Sequence, residues 1–307
     1  MIQRLLPFFT LAALFIILSI ASPNFLTATN LATVARQTAV INIMALGMTV
    51  VIISGGIDLS VGSILALAGL LGSMTMGKHG IPFGLAIGLI AGTACGLSNG
   101  LMITRLAISP FIVTLGTMGI YRGLALIIAK GLPVHDIPSA YSFFAEGTVL
   151  GVPLVLWTLL VCAVLIHVTL EYTRFGRYAF SIGSNPDAAY YSGVPVRFHV
   201  TAVYAIAGVL TGLAGMIEAS RLMTGQPTIG QGYELTAIAA VVIGGGSLRG
   251  GEGSVLGTLI GAFIMGLLAN GSDLLGINPY WQQVIIGAVI ILAVALDEFR
   301  KRKTAAL

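Results

Sequence analysis

The stretch VVIISGGIDLSVGSILALAG, residues 50–69, decides the fold. One apolar run halts at Ser54, Gly55 and Gly56, a single carboxylate follows at Asp58, and a second apolar run begins at once. Followed outward, the two runs cover 34–53 and 60–76, close to the ~20 apolar residues that a helix needs to cross a bilayer. The few residues between them are too short for a domain and too rich in glycine for a helix. They read as a tight turn at a membrane face.

The same ruler applied to the whole chain marks 5–22, 34–53, 60–76, 81–103, 110–129, 152–170, 200–220, 234–247, 254–270 and 280–297, about ten spans. Composition agrees. Apolar residues make up 57% of the 307, charged residues 8%, and the mean hydropathy is +1.00. A soluble domain carries roughly a quarter charged residues, so soluble classes are excluded. The expected fold is all-α: a polytopic transmembrane helical bundle filling 1–307 as one domain. The first run resembles a secretory signal, but the many spans behind it make it an uncleaved first helix.

The net charge of +4 does not indicate nucleic acid, because the basic residues form no stripe on a folded face. Arg300, Lys301, Arg302 and Lys303 follow the last apolar run, as expected of an anchor at a cytoplasmic, anionic lipid surface. With the N-terminus inside, the inward loops also hold Arg4, Arg105, Arg174, Arg177, Arg197 and Arg249. The outward side and the helices hold only Arg36, Lys78, Arg122, Lys130 and Arg221. That bias predicts both termini on the cytoplasmic side.

Two glycine patterns stand out. Gly84, Gly88, Gly92, Gly96 and Gly100 recur every four residues along one span, which predicts a seam where a neighbouring helix packs backbone to backbone. Residues 240–261, AVVIGGGSLRGGEGSVLGTLIG, parallel 50–69: an apolar run, paired glycines, a Gly-Ser and a second apolar run. Glycine-interrupted spans in two halves point to a transport pathway, where unwound backbone can line a cavity.

Catalytic motifs are missing or misplaced. No GxxxxGK[ST] loop occurs, so the chain is not expected to hydrolyse ATP itself. GLSNG at 96–100 spells a nucleophile elbow but lies inside the glycine helix, without the strand that motif requires. The four histidines are scattered, and Cys95 and Cys162 lie in apolar runs without metal or disulfide spacing. No enzyme activity, cofactor or metal is expected. Three carboxylates border apolar segments, where ionisable groups are costly. Asp58 reads either as a cap for the helix starting near Leu59, with Ser60 beside it, or as a pathway residue. Glu218 is placed to pair with Arg221 one turn on, and Glu234 suits a helix N-terminus.

The inward loop 171–199 is the most informative segment. Asn185 is a good N-cap, Pro186 suits the first helical position, and Asp187 complements the helix dipole. Gly193 then ends the helix and Pro195 prevents its return. A short capped helix at the cytoplasmic face results, flanked by Arg174, Arg177 and Arg197. In a pumping protein without an ATP site, it is the candidate docking element.

These motifs together resemble a known family. SPNFLTATNL (22–31), ALGMTVVIISGGIDLSVGS (45–63), TRFGRYAFSIGSNPDAAYYSGV (173–194), GLAGMIEASRL (212–222) and GYELTAIAAVVIGGGSLRGGEGSVLGTLIGA (232–262) are similar to the ribose-type permeases of bacterial ABC importers. The resemblance runs nearly the length of the chain and departs at Ser184, where the family commonly has glycine. It implies the type II importer architecture in the bacterial inner membrane and a dimer with an identical or paralogous permease subunit. It also implies a pair of cytoplasmic ABC ATPase subunits and a periplasmic or surface sugar-binding protein. Asn185, Pro186, Ala188, Ala189, Ser192 and Gly193 would dock the ATPase. The sugar would pass by alternating access along a polar, uncharged path, for which Asn42, Ser54, Gly55, Gly56, Asp58, Ser60, Thr114 and Thr117 are the candidates. The alternative, an ion-coupled carrier acting without an ATPase, would want paired carboxylates or histidines at mid-membrane depth, and the chain is poor in them.

Overall fold

The computed structural model describes residues 2–278, 280–289, 291, 292 and 295. The chain forms α1 (Ile2–Ala21), α2 (Ala28–Ile53), α3 (Val61–His79), α4 (Ile81–Leu106) and α5 (Pro110–Ala129) in succession. A compact excursion follows, with a 3₁₀ turn (Ser139–Ser142), α6 (Phe143–Glu146) and the hairpin β1 (Thr148–Val149) and β2 (Val152–Pro153). Then come α7 (Leu154–Tyr172), α8 (Arg174–Ser184), α9 (Pro186–Tyr191), α10 (Val196–Leu222), α11 (Tyr233–Ile243) and α12 (Val255–Leu274). Seven of these helices are long and apolar enough to cross a membrane, and Leu6–Ala21 and Tyr233–Ile243 are shorter apolar helices. The tenth expected span is helical over 280–289; the basic cluster at 300–303 lies outside the described residues. The fold is all-α, as the sequence predicts.

Helix α2 is the hub. From Thr38 to Ile53 nearly every side chain is buried, the behaviour of a helix that is apolar all round and surrounded by others. Helices α7, α10, α11 and α12 pack around it. Its start is fixed by Thr27, whose hydroxyl accepts the Asn30 amide at 3.3 Å. Helices α5 and α7 lie at the periphery, where Ile112, Leu115, Ile120, Leu160, Val164 and Leu165 face outward. In water such surfaces would drive association, and in lipid they need no partner.

The glycine stripe of α4 is a seam against α10. A Cβ at Gly92 would lie 2.7 Å from the Gly212 Cα, and one at Gly96 would lie 2.9 Å from the Gly208 Cα. Gly100 meets the Thr201 backbone in the same way, while Gly84 faces α3. Packing glycine on glycine brings two backbones into dispersion contact where lipid-solvated helices have no hydrophobic drive to associate. Above the seam the excursion is tied down by an isolated bridge between Val134 and Gly225. The Tyr141 hydroxyl donates to the Met216 carbonyl at 2.9 Å, and the Ser220 hydroxyl to the Tyr141 carbonyl at 2.6 Å.

Gly116 of α5 is a control for this seam, because a Cβ there meets nothing. Gly96→Ala is expected to destabilise the purified protein by about 1–3 kcal/mol through overpacking. Gly116→Ala should fall within about 0.5 kcal/mol of the parent. Thermal unfolding in one detergent checks both.

Candidate functional site

The two glycine-interrupted connections end their first helices in the same way. At the end of α2 the Gly55 amide donates to the Ile52 carbonyl at 2.9 Å and the Gly56 amide to Val51 at 3.0 Å. At the end of α11 Gly245 donates to Val242 at 2.9 Å and Gly246 to Val241 at 2.8 Å. Gly55 (φ +80°) and Gly245 (φ +92°) occupy the left-handed region at equivalent places, the conformation glycine adopts at helix C-termini without a Cβ penalty. The parallel then ends. Gly62 and Ser63 lie in the first turn of α3, whereas Ser254 is the N-cap of α12 and accepts the Gly257 amide at 3.1 Å.

The two connections also meet. The Gly251 amide donates to the Ile53 carbonyl at 2.9 Å, bonding the second break to the end of α2. Gly183 of α8 lies over this bond, so close that a Cβ would collide with the Ile53 carbonyl and the Gly251 amide. A Cβ at Gly250 would sit 2.8 Å from the Gly55 Cα. Three backbone segments are stacked without side chains between them.

Helix α9 is mounted on the far end of α8. Asn185 is extended (φ −160°, ψ 102°), ends α8 and opens α9, and its Oδ1 accepts the Ala188 amide at 2.9 Å. Pro186 and Asp187 occupy the first turn. Gly193, with φ +84°, closes the helix by donating to the Tyr190 carbonyl at 3.0 Å, and Val194 donates to Ala189 at 3.0 Å. Of the six candidate docking residues, Asn185, Pro186, Ala188, Ser192 and Gly193 are exposed. Ala189 is turned inward against Ile182 and Val194, where it holds α9 to α8. Tyr190 and Tyr191, 66% and 86% exposed, complete the outer face. They do not stand out in sequence, since tyrosine in an apolar chain reads as core or interface equally well.

The eight pathway candidates divide. Gly55 is exposed, while Asn42, Ser54, Gly56, Asp58, Ser60, Thr114 and Thr117 are buried within the subunit. Asn42 and Ser54 bond to their own helix, at the Thr38 and Val51 carbonyls. Asp58, Ser60 and Thr114 are brought together: Asp58 Oδ1 accepts the Ser60 amide at 2.8 Å and the Ser60 hydroxyl at 2.6 Å. The Thr114 hydroxyl donates to the Ile57 carbonyl at 3.2 Å, and Thr117 stands one turn further along α5. Asp58 thus caps the turn preceding α3, which opens at Val61. Asn99, Tyr121 and Tyr204 join this cluster, with Asn99 Nδ2 donating to Ser60 Oγ at 2.8 Å and the Tyr204 hydroxyl to the Ile57 carbonyl at 3.2 Å. Asn99 carries a signal that sequence reading can use: an amide amid the glycines of a membrane helix.

The other carboxylates have structural partners. Arg221 Nη2 and Nε donate to the two Glu218 oxygens at 2.6 and 2.9 Å. Glu234 Oε1 accepts the Gly232 amide at 3.1 Å. Nearby, Arg122 Nη1 donates to the Pro227 and Ile229 carbonyls at 2.6 and 2.7 Å, tethering the chain before α11. Ser98, the would-be nucleophile, bonds to Tyr121 and to the Cys95 carbonyl within its helix.

A multi-pass helical bundle with two glycine-broken connections has the build expected of a membrane transport subunit. Comparisons make this specific. Residues 30–294 match the family described as branched-chain amino acid transport system / permease component. The ribose import permease of Bacillus subtilis (strain 168) is 45% identical over 96% of this chain and 92% of its own length. The ribose import permease of Escherichia coli (strain K12) is 42% identical over 94% and 91%, and the D-allose permease of that strain 38% over 94% and 90%. No solved structure matches. The chain belongs to this permease family, within its ribose-type sugar branch, and is a transport membrane subunit rather than an enzyme.

Gly183→Ala forces a methyl group into the stacked backbones and is expected to lift α8 from the Ile53–Gly251 bond. Hydrogen exchange at the Gly251 amide should then rise at least tenfold, equivalent to about 1.4 kcal/mol of lost protection. Asn185→Ala should unfasten α9 alone at a cost of about 1 kcal/mol, leaving Gly251 protected.

Proposed function

We propose that this chain is the membrane-crossing subunit of an ATP-binding-cassette importer that carries a monosaccharide, ribose or a related pentose or hexose, into the cytoplasm by alternating access. The observation that carries the reading is the capped helix α9, held by α8 on the point where both broken connections meet. Relatives named for ribose import and for D-allose transport support the sugar class.

In this reading both termini and the α8–α9 element are cytoplasmic, in a bacterial inner membrane. Two permease subunits, identical or paralogous, line the path between them, and a sugar-binding protein delivers cargo from outside. ATPase subunits grip the outer face of α9 through Asn185, Pro186, Ala188, Ser192 and Gly193, with Tyr190 and Tyr191 beside them. Aromatic side chains of this exposure bury large area at little entropic cost when a partner covers them. Closure of the ATPases displaces α8, and the stacked glycines transmit the shift to α2 and to the connection between α11 and α12. The sugar meets hydroxyl and amide groups rather than salt bridges, as a neutral polyol requires. Gly55 and the polar row now buried within the subunit would line that path once the helices part.

Uptake of labelled ribose into proteoliposomes holding the chain, its ATPase and its binding protein tests the reading. Uptake should need all three together with internal ATP. Uptake by the chain alone, driven by a proton or sodium gradient, would overturn it in favour of an ion-coupled carrier. Tyr191→Ala combined with Ala188→Arg should cut ATP-driven uptake at least tenfold while the chain still inserts and purifies normally.

A further inference from the structure

The hydrogen bonds around Asp58 converge on one of its oxygens. Ser98 Oγ lies 2.6 Å from the Tyr121 hydroxyl, that hydroxyl lies 3.1 Å from both the Cys95 carbonyl and Asn99 Oδ1, and Asn99 Nδ2 donates to Ser60 Oγ at 2.8 Å. The Ser60 hydroxyl, its lone pair occupied by Asn99, then donates to Asp58 Oδ1. The Ser60 amide adds a second donor to that same oxygen. Asp58 Oδ2, by contrast, is buried with no hydrogen-bond partner, on a residue that is 0% exposed. One oxygen is held by Ser60, which α4 supports through Asn99, and the other has no hydrogen-bond partner.

An enclosed carboxylate with half its charge unpartnered is far more costly than a neutral acid in the same place. Segment 54–60 lies between the spans that end at Ile53 and start at Val61. Burial there pushes the Asp58 carboxyl above its ordinary value of 3.8, against the lowering effect of the Ser60 hydroxyl and amide bonded to it and of the nearby Asn99 amide. The titratable groups facing it are Cys95 of α4, Tyr121 of α5 and Tyr204 of α10, thiol and phenols that are ordinarily neutral near pH 7. The adjoining Ile57 carbonyl accepts from the Tyr204 hydroxyl of α10 and lies 3.2 Å from the Thr114 hydroxyl of α5, which also reaches the Pro110 carbonyl of its own helix at 2.9 Å.

We propose that Asp58 is a positioning residue of the transport cycle, a proton-carrying latch that holds the break between α2 and α3 against α4, α5 and α10 in this conformation and gives up that proton when the helices part. The inference rests on the transporter reading, with ATP as the energy source; when the helices part, Oδ2 gives its proton to water that enters, leaving a solvated carboxylate, and takes one back from water on the same side as they close, so none need cross the membrane. A neutral acid favoured by the fold stabilises fully below the ordinary carboxylate value, and that stabilisation is lost as pH rises toward the raised one.

The test uses the reconstituted three-component system, with ribose uptake measured from pH 5.5 to 7.5 at equal pH on both sides, and thermal unfolding over the same range. Asp58→Asn keeps the Oδ1 acceptor and has no proton to release. It should assemble, fall at least tenfold in uptake, and lose the pH dependence of the parent, while its melting temperature gains on the parent's as pH rises. Tyr121→Phe, which removes the far donor without changing shape, should move the parent's pH profile upward, because the Asp58 anion loses support. Parent-like uptake and pH dependence in Asp58→Asn, or an unmoved profile in Tyr121→Phe, would overturn the latch. Should Asp58→Asn fail to assemble, the Tyr121→Phe profile decides alone. If the parent takes up no ribose under any of these conditions, the failure belongs to the transporter reading, and the unfolding gap between parent and Asp58→Asn still decides whether Asp58 carries its proton.

Discussion

The hydrogen bond from the Gly251 amide to the Ile53 carbonyl is the constraint around which this protein is arranged. A helix end covered by other segments leaves carbonyls that water cannot reach, each costing about 1–3 kcal/mol if left bare. Here the end of α2 is satisfied by the second broken connection. That exchange demands close backbone approach, which is why Gly55, Gly183, Gly250 and Gly251 converge there. A side chain at Gly183 or Gly250 would separate the very groups that must meet.

From this point two kinds of packing are built into the bundle. Where Gly92 and Gly96 of α4 meet Gly212 and Gly208 of α10, backbone lies on backbone with no side-chain layer between; further along, Gly88 receives the Met216 side chain. Helix α5 contrasts with this seam: Gly116, Gly119 and Gly123 touch nothing, and the helix joins its neighbours through the other face, where Tyr121, Ala125 and Ala129 pack against Ile64, Leu67 and Leu70 and where Thr114, Tyr121 and Arg122 form hydrogen bonds.

Much of this was legible before any coordinates. The apolar runs marked the helices because a bilayer imposes one length on all of them. The period of four in the α4 glycines predicted a seam but not its partner, since any helix can fill a flat face. Asn185, Pro186 and Gly193 fixed α9 because capping chemistry is local. The matched breaks at Gly55 and Gly245 were visible as a repeat, yet the different placement of Gly62-Ser63 and Gly253-Ser254 was not, because a Gly-Ser pair begins a helix or sits within its first turn equally well. The eighth span was expected over 234–247 and forms over Tyr233–Ile243, since the glycines from 244 onward end it. What stayed hidden depended on contacts between segments far apart in sequence: Gly183 over Gly251, Ala189 turned inward, and Asn99 bridging Tyr121 to Ser60.

In the proposed cycle the position of α8 lets one small helix act on the rest. Its Gly183 touches the end of α2 and the loop before α12 at once, and α2 is itself packed by α7, α10, α11 and α12. A force applied at α9 therefore enters the hub directly and does not pass through flexible side chains. Both breaks begin with the same left-handed glycine turn, so in the proposed cycle they would bend at equivalent points, with α3 beyond one and α12 beyond the other. Asp58 sits just past the first of these turns, where such a movement would first pull its carboxyl away from the donors that hold it.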